Sequence, residues 1–254
     1  MVVGLDTFKA HFKGFEDRYV LIGGTASSIG IAELGGEFRG TRDLDIVLTI
    51  ESLDEDFSRA IWDFIKLGKY KNLQKSGDGE KRIFYRFNKP EDTSYPYMLE
   101  FFSRVPDAIE FKETEDCVFT PIPLEEELSS LSAILLNDDY YAFIHENKHV
   151  LYGLPVVTTN GLIPLKAYAH KNLVAMKDAG KSVKKVDLTK HKKDVFRLHS
   201  VLDQRVECLP ADDIKSDMRD CFNLIRSEPP NLKDLKLSGD VEEILQELEE
   251  YYKL

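Results

Sequence analysis

The sequence predicts an α+β fold in which strands and helices are followed by a mainly helical C-terminal region. Two different residue patterns along the 254 residues support this prediction. Short runs rich in β-branched and aromatic residues, with one strongly helical segment among them, occupy residues 1–123. Helical spacing of apolar residues dominates residues 124–254, apart from a strand expected near residues 150–158. We therefore expect an α/β core followed by a helical region.

The first half of the chain supplies the expected strands. One helix is expected in "LDEDFSRAIWDFIKLG", where apolar residues recur at helical spacing, and another in "TASSIGIAEL". The strand segments are RYVLIG, LDIVLTI, RIFYRFN, YMLEFFSR and CVFTPI.

The second half supplies the remaining helices. "VLYGLPVVTT" is typical of a strand and a turn. The helix that follows would begin at Gly161, with Thr159 or Asn160 as its N-terminal cap. The expected helices cover "PLEEELSSLSAILLN", residues 161–177, 189–202 and 211–226, and "GDVEEILQELEEYYK".

Composition and charge narrow the classes of function. The net charge of −11 means that the surface as a whole repels nucleic acid. No apolar run is long enough to cross a bilayer and the start has no basic, apolar leader, so we expect a cytoplasmic protein without membrane partners. Cys117, Cys208 and Cys221 have no C-x-x-C spacing, which predicts free thiols.

Two aspartates alternate inside the apolar run "RGTRDLDIVL". Successive side chains of a strand point to opposite faces, so Asp43 and Asp45 share one face. Two ionised carboxylates repel by about 4 kcal/mol at roughly 4 Å and an effective dielectric of about 20, so water or a cation must compensate. Glu100 is a third acid in another apolar run. Three acids on adjacent strands would suit Mg²⁺, in a site with two ions about 3.5–4 Å apart.

Two glycines end the strand that precedes these acids. Gly23 and Gly24 stand before the expected helix, where the backbone can approach a phosphate and present N–H groups together with the hydroxyl of Ser27 or Ser28. Taken separately, Gly-Gly before a helix is more often a tight turn, and a D-x-D is common on solvated strand edges. Their combination is more informative than either.

The combination of "GGTA", "RGTRDLDIVL" and a later acid resembles the DNA polymerase β-like nucleotidyltransferase superfamily. The arginine and threonine before the acids are similar to those of AbiEii-type proteins, bacterial nucleotidyltransferases that often occur as toxins of toxin–antitoxin pairs. "GLIPLKAYAHKNL" and "LTKHKKDVFRLHSVL" resemble the lysine and aspartate motifs of that family's C-terminal helical region. The resemblance spans residues 19 to about 202, and residues 203–254 carry no motif that we assign.

The resemblance implies a nucleotidyltransferase-type mixed β-sheet with flanking helices and a defined chemistry. Such a protein uses Mg²⁺ to transfer a nucleoside monophosphate from a nucleoside triphosphate to a hydroxyl of an RNA, a protein or a small molecule. Asp43, Asp45 and Glu100 would be catalytic metal ligands, Glu100 would also orient or deprotonate the acceptor hydroxyl, and Asp194 would be a catalytic base. The implied nucleotide-binding residues are Gly23, Gly24, Ser27, Arg42, Lys166 and Lys190. The implied partners are the triphosphate, an acceptor such as tRNA, and an antitoxin protein.

Several of these residues also have plainer interpretations. Lys190 and Asp194 lie four residues apart and could simply pair on a helix surface, which contributes only about 0.3–0.5 kcal/mol. Lys166 could be a lysine that snorkels from an amphipathic helix. Glu100 stands where many superfamily members have aspartate. A catalytically inactive nucleotide-binding or protein-interaction module of the same fold is therefore the main alternative.

A competing motif occurs at "HENKH", residues 145–149, which matches the zinc-binding H-E-x-x-H pattern. That pattern needs both histidines on one helix, yet Asn147 and Lys148 are unusual in a buried zinc helix and the next segment is typical of a strand. We expect a polar helix end or turn, and a zinc hydrolase only as a remote alternative.

One basic patch stands out in this acidic chain. Between Lys177 and Lys193 there are seven lysines and two aspartates. The patch could be a solvated loop, or it could hold a tRNA acceptor or the triphosphate tail, in which case binding would weaken steeply with salt. The overall charge instead favours a small cationic acceptor such as an aminoglycoside.

Overall fold

The computed structural model describes residues 2–49, 54–76, 84–102, 119–121 and 137–254. The strands in these ranges are β1 (Tyr19–Ile22), β2 (Asp43–Leu48), β3 (Tyr70–Ser76), β4 (Phe84–Pro90), β5 (Met98–Phe102), β6 (Phe119–Pro121), β7 (Lys148–Leu151) and β8 (Leu154–Val157). The helices are α1 (Leu5–His11), α2 (Gly23–Glu33), α3 (Glu55–Gly68), α4 (Asp138–Glu146), α5 (Thr159–Asp178), α6 (Lys185–His199), α7 (Asp212–Ser227) and α8 (Val241–Tyr252), with a short 3-10 helix at Leu232–Leu235.

The described strands form one mixed sheet in the order β6-β3-β4-β5-β2-β1-β8-β7. β1 pairs antiparallel with β2 and parallel with β8, while β2 pairs parallel with β5. The predicted α+β class and its mixed sheet with flanking helices are confirmed. None of the helices in the described ranges combines the length and the apolar character needed to span a membrane.

The first half of the chain packs an aromatic core against the sheet. Asp54 caps α3 by accepting a hydrogen bond from the Phe57 N–H, and Phe57 and Phe64 are buried on the apolar face of that helix. Phe8 of α1 makes an edge contact with Phe64 at 5.6 Å between ring centroids. The sequence patterns gave no signal for α1 or β3, and both add to this core.

The second half of the chain shares the same sheet. The strand expected near residues 150–158 is present as the hairpin of β7 and β8, whose two-residue turn has positive φ at Tyr152 and Gly153. β8 lies directly beside β1, and among the described strands only β7 separates it from the nearer edge of the sheet. The predicted boundary at residues 123–124, the helix predicted from residue 123 and Cys117 lie outside the described residues. Cys208 and Cys221 are buried free thiols, as predicted.

The helix that carries Lys166 begins earlier than predicted. α5 starts at Thr159, and its cap is Thr158, whose hydroxyl oxygen accepts a hydrogen bond from the Gly161 N–H at 3.1 Å. The prediction of Thr159 or Asn160 as the cap is wrong by one or two residues, because the side chains of all three could cap a helix and only the backbone path selects one.

Candidate functional site

The three acids singled out in the sequence lie side by side on neighbouring strands. Asp45 of β2 is directly opposite Glu100 of β5 in a parallel pair, and Asp43 is two residues earlier on the same face. Asp45 and Glu100 retain only 8% and 6% of their accessible surface. Their burial is caused by position, since β2 and β5 are interior strands of the sheet.

This acid cluster, defined as Asp43, Asp45 and Glu100, is short of positive charge. Burial, and then the neighbouring Glu100 carboxyl, raises the pKa of Asp45 well above its ordinary value. Burial and Glu100 also raise the pKa of Asp43, although Lys190 and other cations partly oppose them. Because raised pKa values favour the protonated forms, the cluster holds a proton or a cation more readily than isolated carboxyls would.

Arg86 on β4 partly compensates this charge, and the sequence analysis did not identify it. Arg86 is directly opposite Glu100 in the antiparallel pair of β4 and β5, and its Nε donates to Glu100 Oε1 at 2.7 Å. The side chain is 13% exposed, so solvent screens this pair only weakly. The sequence signal was limited to alternation along β4, in which Tyr85 and Phe87 are buried on the face opposite to Arg86. Alternation does not show which strand lies beside β4.

The acid cluster is therefore not arranged as a ready-made metal site. Among the residues that the structure describes, no group of three or more His, Cys, Asp or Glu side chains is placed to hold a metal ion. Carboxylate oxygens are nevertheless the donors that Mg²⁺ prefers, and the raised pKa values of Asp43 and Asp45 match a site that a cation would stabilise. Because Arg86 donates to Oε1, Glu100 would share its carboxylate between Arg86 and such a cation.

The two glycines, Gly23 and Gly24, allow close packing of the backbone at this cluster. Gly23 has φ +67°, and a Cβ there would lie 1.9 Å from Asp45 Oδ2. A Cβ on Gly24 would lie 2.8 Å from the Thr41 hydroxyl oxygen. The glycines thus let the Asp45 carboxylate and the loop before β2 lie directly against the first turn of α2.

The Ser27 hydroxyl, for which the resemblance implies phosphate binding, is engaged within α2. The side chain is fully buried, and its hydroxyl donates a 2.7 Å hydrogen bond to the Gly23 carbonyl within α2. The nearby Thr25 hydroxyl likewise donates to the Asp43 carbonyl at 2.7 Å, which ties α2 to β2. A hydroxyl so engaged is a helix-internal contact, which explains why a serine after a Gly-Gly pair is a weak signal.

Arg39, and not the predicted Arg42, is the arginine that faces the site. Arg42 is exposed, whereas the Arg39 guanidinium forms a two-pronged pair with Asp194 of α6, with Nη2 to Oδ2 at 2.8 Å and Nε to Oδ1 at 3.0 Å. The charges of Asp45 and Asp43 both act on Arg39. Arginines three residues apart in a glycine-containing loop cannot be distinguished by pattern, since the loop path decides which one points inward.

The structure argues against Asp194 as a catalytic base. Asp194 has no exposed surface, and it contacts Arg39, Lys166 at 3.3 Å and Arg197 at 3.0 Å. Although burial raises its pKa, these cations outweigh burial and hold the pKa below its ordinary value. Such a carboxylate is a poor proton acceptor.

The two lysines predicted in the second half have different surroundings. Lys166 is fully buried on α5, so the plainer interpretation of a snorkelling lysine is wrong; burial lowers its pKa, and its charge acts on Asp194 and Asp45. Lys190 pairs with Asp187 at 3.0 Å and not with Asp194. Its charge nevertheless acts on Asp43 and helps to lower the pKa of that carboxyl.

The lysine-rich segment of residues 177–193 is not uniform. Lys192 is buried and donates to the Glu228 carbonyl at 2.6 Å, so it stabilises the fold. Lys181, Lys184 and Lys185 are exposed and remain available to a polyanion.

The HENKH motif does not form a zinc helix. α4 ends at Glu146, Asn147 is its C-terminal cap, and β7 begins at Lys148. His145 and His149 therefore lie on different elements and cannot bind a metal from one helix face. The expected polar helix end is present, and the zinc hydrolase interpretation loses its structural basis.

The fold and the site together define an α+β protein with a buried charged cluster where the sheet meets the helical half. The chain matches no protein-family model, and no curated protein matches it. The function therefore has to be inferred from the residues of the site.

Proposed function

We propose that this protein is an Mg²⁺-dependent nucleotidyltransferase of the AbiEii type that moves a nucleoside monophosphate from a nucleoside triphosphate to an acceptor hydroxyl. The observation that carries the proposal is the placement of Asp43, Asp45 and Glu100 on one face of two adjacent strands, next to Gly23. This is the order of elements that the resemblance implies, namely strand, Gly-Gly, helix, D-x-D strand and a neighbouring strand with a third acid.

In this proposal each charged residue has a separate task. Asp43 and Asp45 would hold Mg²⁺, which supplies positive charge to the triphosphate when it is bound. Lys166 and Lys190, whose charges act on Asp45 and Asp43 respectively, would offset charge that develops on the leaving phosphates. Glu100 would orient the acceptor hydroxyl.

The proposal includes partners and a location. A nucleoside triphosphate is the donor, the acceptor is an RNA, a protein or a small molecule, and an antitoxin would be a protein partner if the chain is a toxin. Triphosphates and Mg²⁺ are abundant in the cytoplasm, which is the location we propose. The exposed lysines of α6 and the loop before it favour an anionic acceptor over a cationic one.

A second function is favoured by the contact between Arg86 and Glu100. A guanidinium that holds the third acid at 2.7 Å can replace a metal as counter-ion, and the protein would then bind nucleotide without transferring it. The two functions differ in whether Mg²⁺ or Arg86 is the counter-ion of Glu100 when nucleotide binds.

Pyrophosphate release distinguishes the two functions. The four labelled triphosphates would be incubated with the protein, Mg²⁺ and total cellular RNA or protein, and Asp43→Ala with Asp45→Ala should abolish release while circular dichroism stays unchanged. Asp56→Ala is the matched control, because Asp56 is 76% exposed on α3 and pairs with Arg59 of the same helix. Saturable nucleotide binding without any release would establish the second function, and release that survives in the double variant would refute the first.

A further inference from the structure

Asp194 occupies a position between the two halves of the chain that a base role does not explain. It lies on α6, yet its closest cationic partner, Arg39, belongs to the loop between α2 and β2. Lys166 of α5 and Arg197 of α6 complete its surroundings. One buried carboxylate thus fixes a loop of the first half against two helices of the second.

The contact holds the Arg39 guanidinium in one orientation. Nε and Nη2 both donate to the Asp194 carboxylate, and the guanidinium carbon lies 5.1 Å from the centroid of the Phe38 ring. A two-pronged pair together with an aromatic ring restricts both rotation and tilt. The residues 35, 36 and 40 of the same loop are glycines, so the loop itself has little intrinsic rigidity.

This orientation brings Nη2 of Arg39 to the first turn of α2. A guanidinium has five N–H donors, and the hydrogen bonds recorded for Arg39 within the described ranges use Nε and Nη2 only. Its side chain is 28% exposed. Nη2 lies 3.7 Å from the position of a Gly24 Cβ, which places it over the first turn of α2. Cationic N–H groups beside the start of a helix are suited to a phosphate.

We propose that Asp194 is a positioning residue that fixes Arg39 over the start of α2, and that Arg39 receives the triphosphate of the nucleotide there. The proposal rests on the proposed function, because it names the phosphate contact of the same site. The buried Lys166 amino group lies 3.3 Å from Asp194 Oδ2, the oxygen that also accepts from Arg39 Nη2, and adds positive charge there. Asp194 then acts through Arg39 and does not exchange a proton with substrate.

Calorimetric binding of inorganic tripolyphosphate and of ATP, in the presence of Mg²⁺, tests the proposal without knowledge of the preferred base. Arg39→Gln should weaken tripolyphosphate binding about tenfold or more, since it removes a charge-assisted hydrogen bond. Arg39→Lys should recover little of this loss, because an ammonium cannot bind Asp194 in the two-pronged manner. Arg197→Gln is the matched control, since it removes another cation from Asp194, and its affinity should change less than about twofold.

Asp194→Asn separates positioning from proton transfer. A positioning role predicts weaker binding in this variant. The double variant with Arg39→Gln should lose little more, because both changes break the same Arg39–Asp194 pair. Full binding with lost turnover in Asp194→Asn would show that Asp194 is a base and would overturn the proposal. Full binding in Arg39→Gln, in which Asp194 stays paired with Lys166 and Arg197, would also overturn it. Equal losses in Arg197→Gln and Arg39→Gln would also overturn it. A wild-type protein that binds neither ligand would instead contradict the proposed function.

Discussion

At the scale of single residues, Gly23 shows how the acid cluster constrains its neighbours. Its φ of +67° already favours glycine, and the Asp45 carboxylate occupies the space of a side chain. We expect Gly23→Ala to destabilise the protein by about 1–3 kcal/mol beyond the cost of the backbone angle alone. Free energies of unfolding in urea measure the effect.

Gly180→Ala is the control for this prediction. Gly180 has a similar φ of +79°, and nothing lies within 4 Å of a Cβ built there. Its substitution therefore measures the backbone term without the clash. Equal losses of stability in the two variants would show that Asp45 moves freely and that Gly23 has no role in packing the cluster.

The raised pKa of Asp45 predicts the direction in which the stability of the protein changes with pH. Its pKa is raised in the folded state, so its contribution to stability is complete below the unfolded pKa and is lost as the pH rises through the folded pKa. In metal-free buffer, Asp45→Asn should therefore be more stable than the wild type at about pH 8, and the difference should shrink towards about pH 4. Each unit of pKa shift corresponds to about 1.4 kcal/mol, which urea unfolding can measure.

The exposed Asp56→Asn variant controls for the loss of one negative charge from the chain. A loss of stability in Asp45→Asn at the higher pH would mean that Lys166 and the surrounding cations already compensate the cluster. The shortage of positive charge inferred for this site would then be wrong.

At the scale of elements, α5 contains a proline whose effect is compensated by the last helix. Pro164 has no N–H to donate to the Asn160 carbonyl one turn earlier, and the Tyr252 hydroxyl of α8 donates to that carbonyl at 2.6 Å. The segment beyond residue 202, to which no motif could be assigned, thus completes the hydrogen bonding of the helix that carries Lys166.

A double-mutant cycle tests this compensation. Tyr252→Phe should cost about 1–3 kcal/mol of unfolding free energy, because it leaves a buried carbonyl without its donor. In a Pro164→Ala background the same change should cost less, since the backbone N–H that the substitution introduces can reach the Asn160 carbonyl. An identical cost in both backgrounds would show that the carbonyl is satisfied in another way.

The elements also show what could be predicted from the sequence. Alternation along β2 was sufficient to expect Asp43 and Asp45 on one face, since this is a local property of a strand, whereas Glu100 was expected beside them from the resemblance. Arg86 could not be assigned, because only the sheet order places β4 next to β5. The cations around Asp194 come from the loop after α2 and from α5 and α6, and no short-range pattern encodes such a meeting.

At the scale of the whole molecule, the sheet joins the two predicted regions. β8 of the second region is an interior strand beside β1, and the Arg39–Asp194 pair links the regions a second time. The predicted division at residues 123–124 rests on local sequence patterns, and the sheet contains described strands from both sides of it. The residue pattern of a segment predicts the helices and strands of that segment, but it does not predict which sheet the strands join.

The shared sheet predicts that the protein unfolds as one cooperative unit. Trp62 is the single tryptophan of the chain, and it lies on α3 with its ring 6.5 Å from that of Phe87, so its fluorescence reports on the first half. Far-ultraviolet circular dichroism is dominated by helices, and α5, the longest helix in the part of the chain that the structure describes, belongs to the second half. Loss of either half would expose β1 or β8 along an edge, so we expect the two signals to give the same urea midpoint. A fluorescence midpoint clearly below that of circular dichroism would show that the first half unfolds by itself, and that the interior β1–β8 pair contributes little to stability.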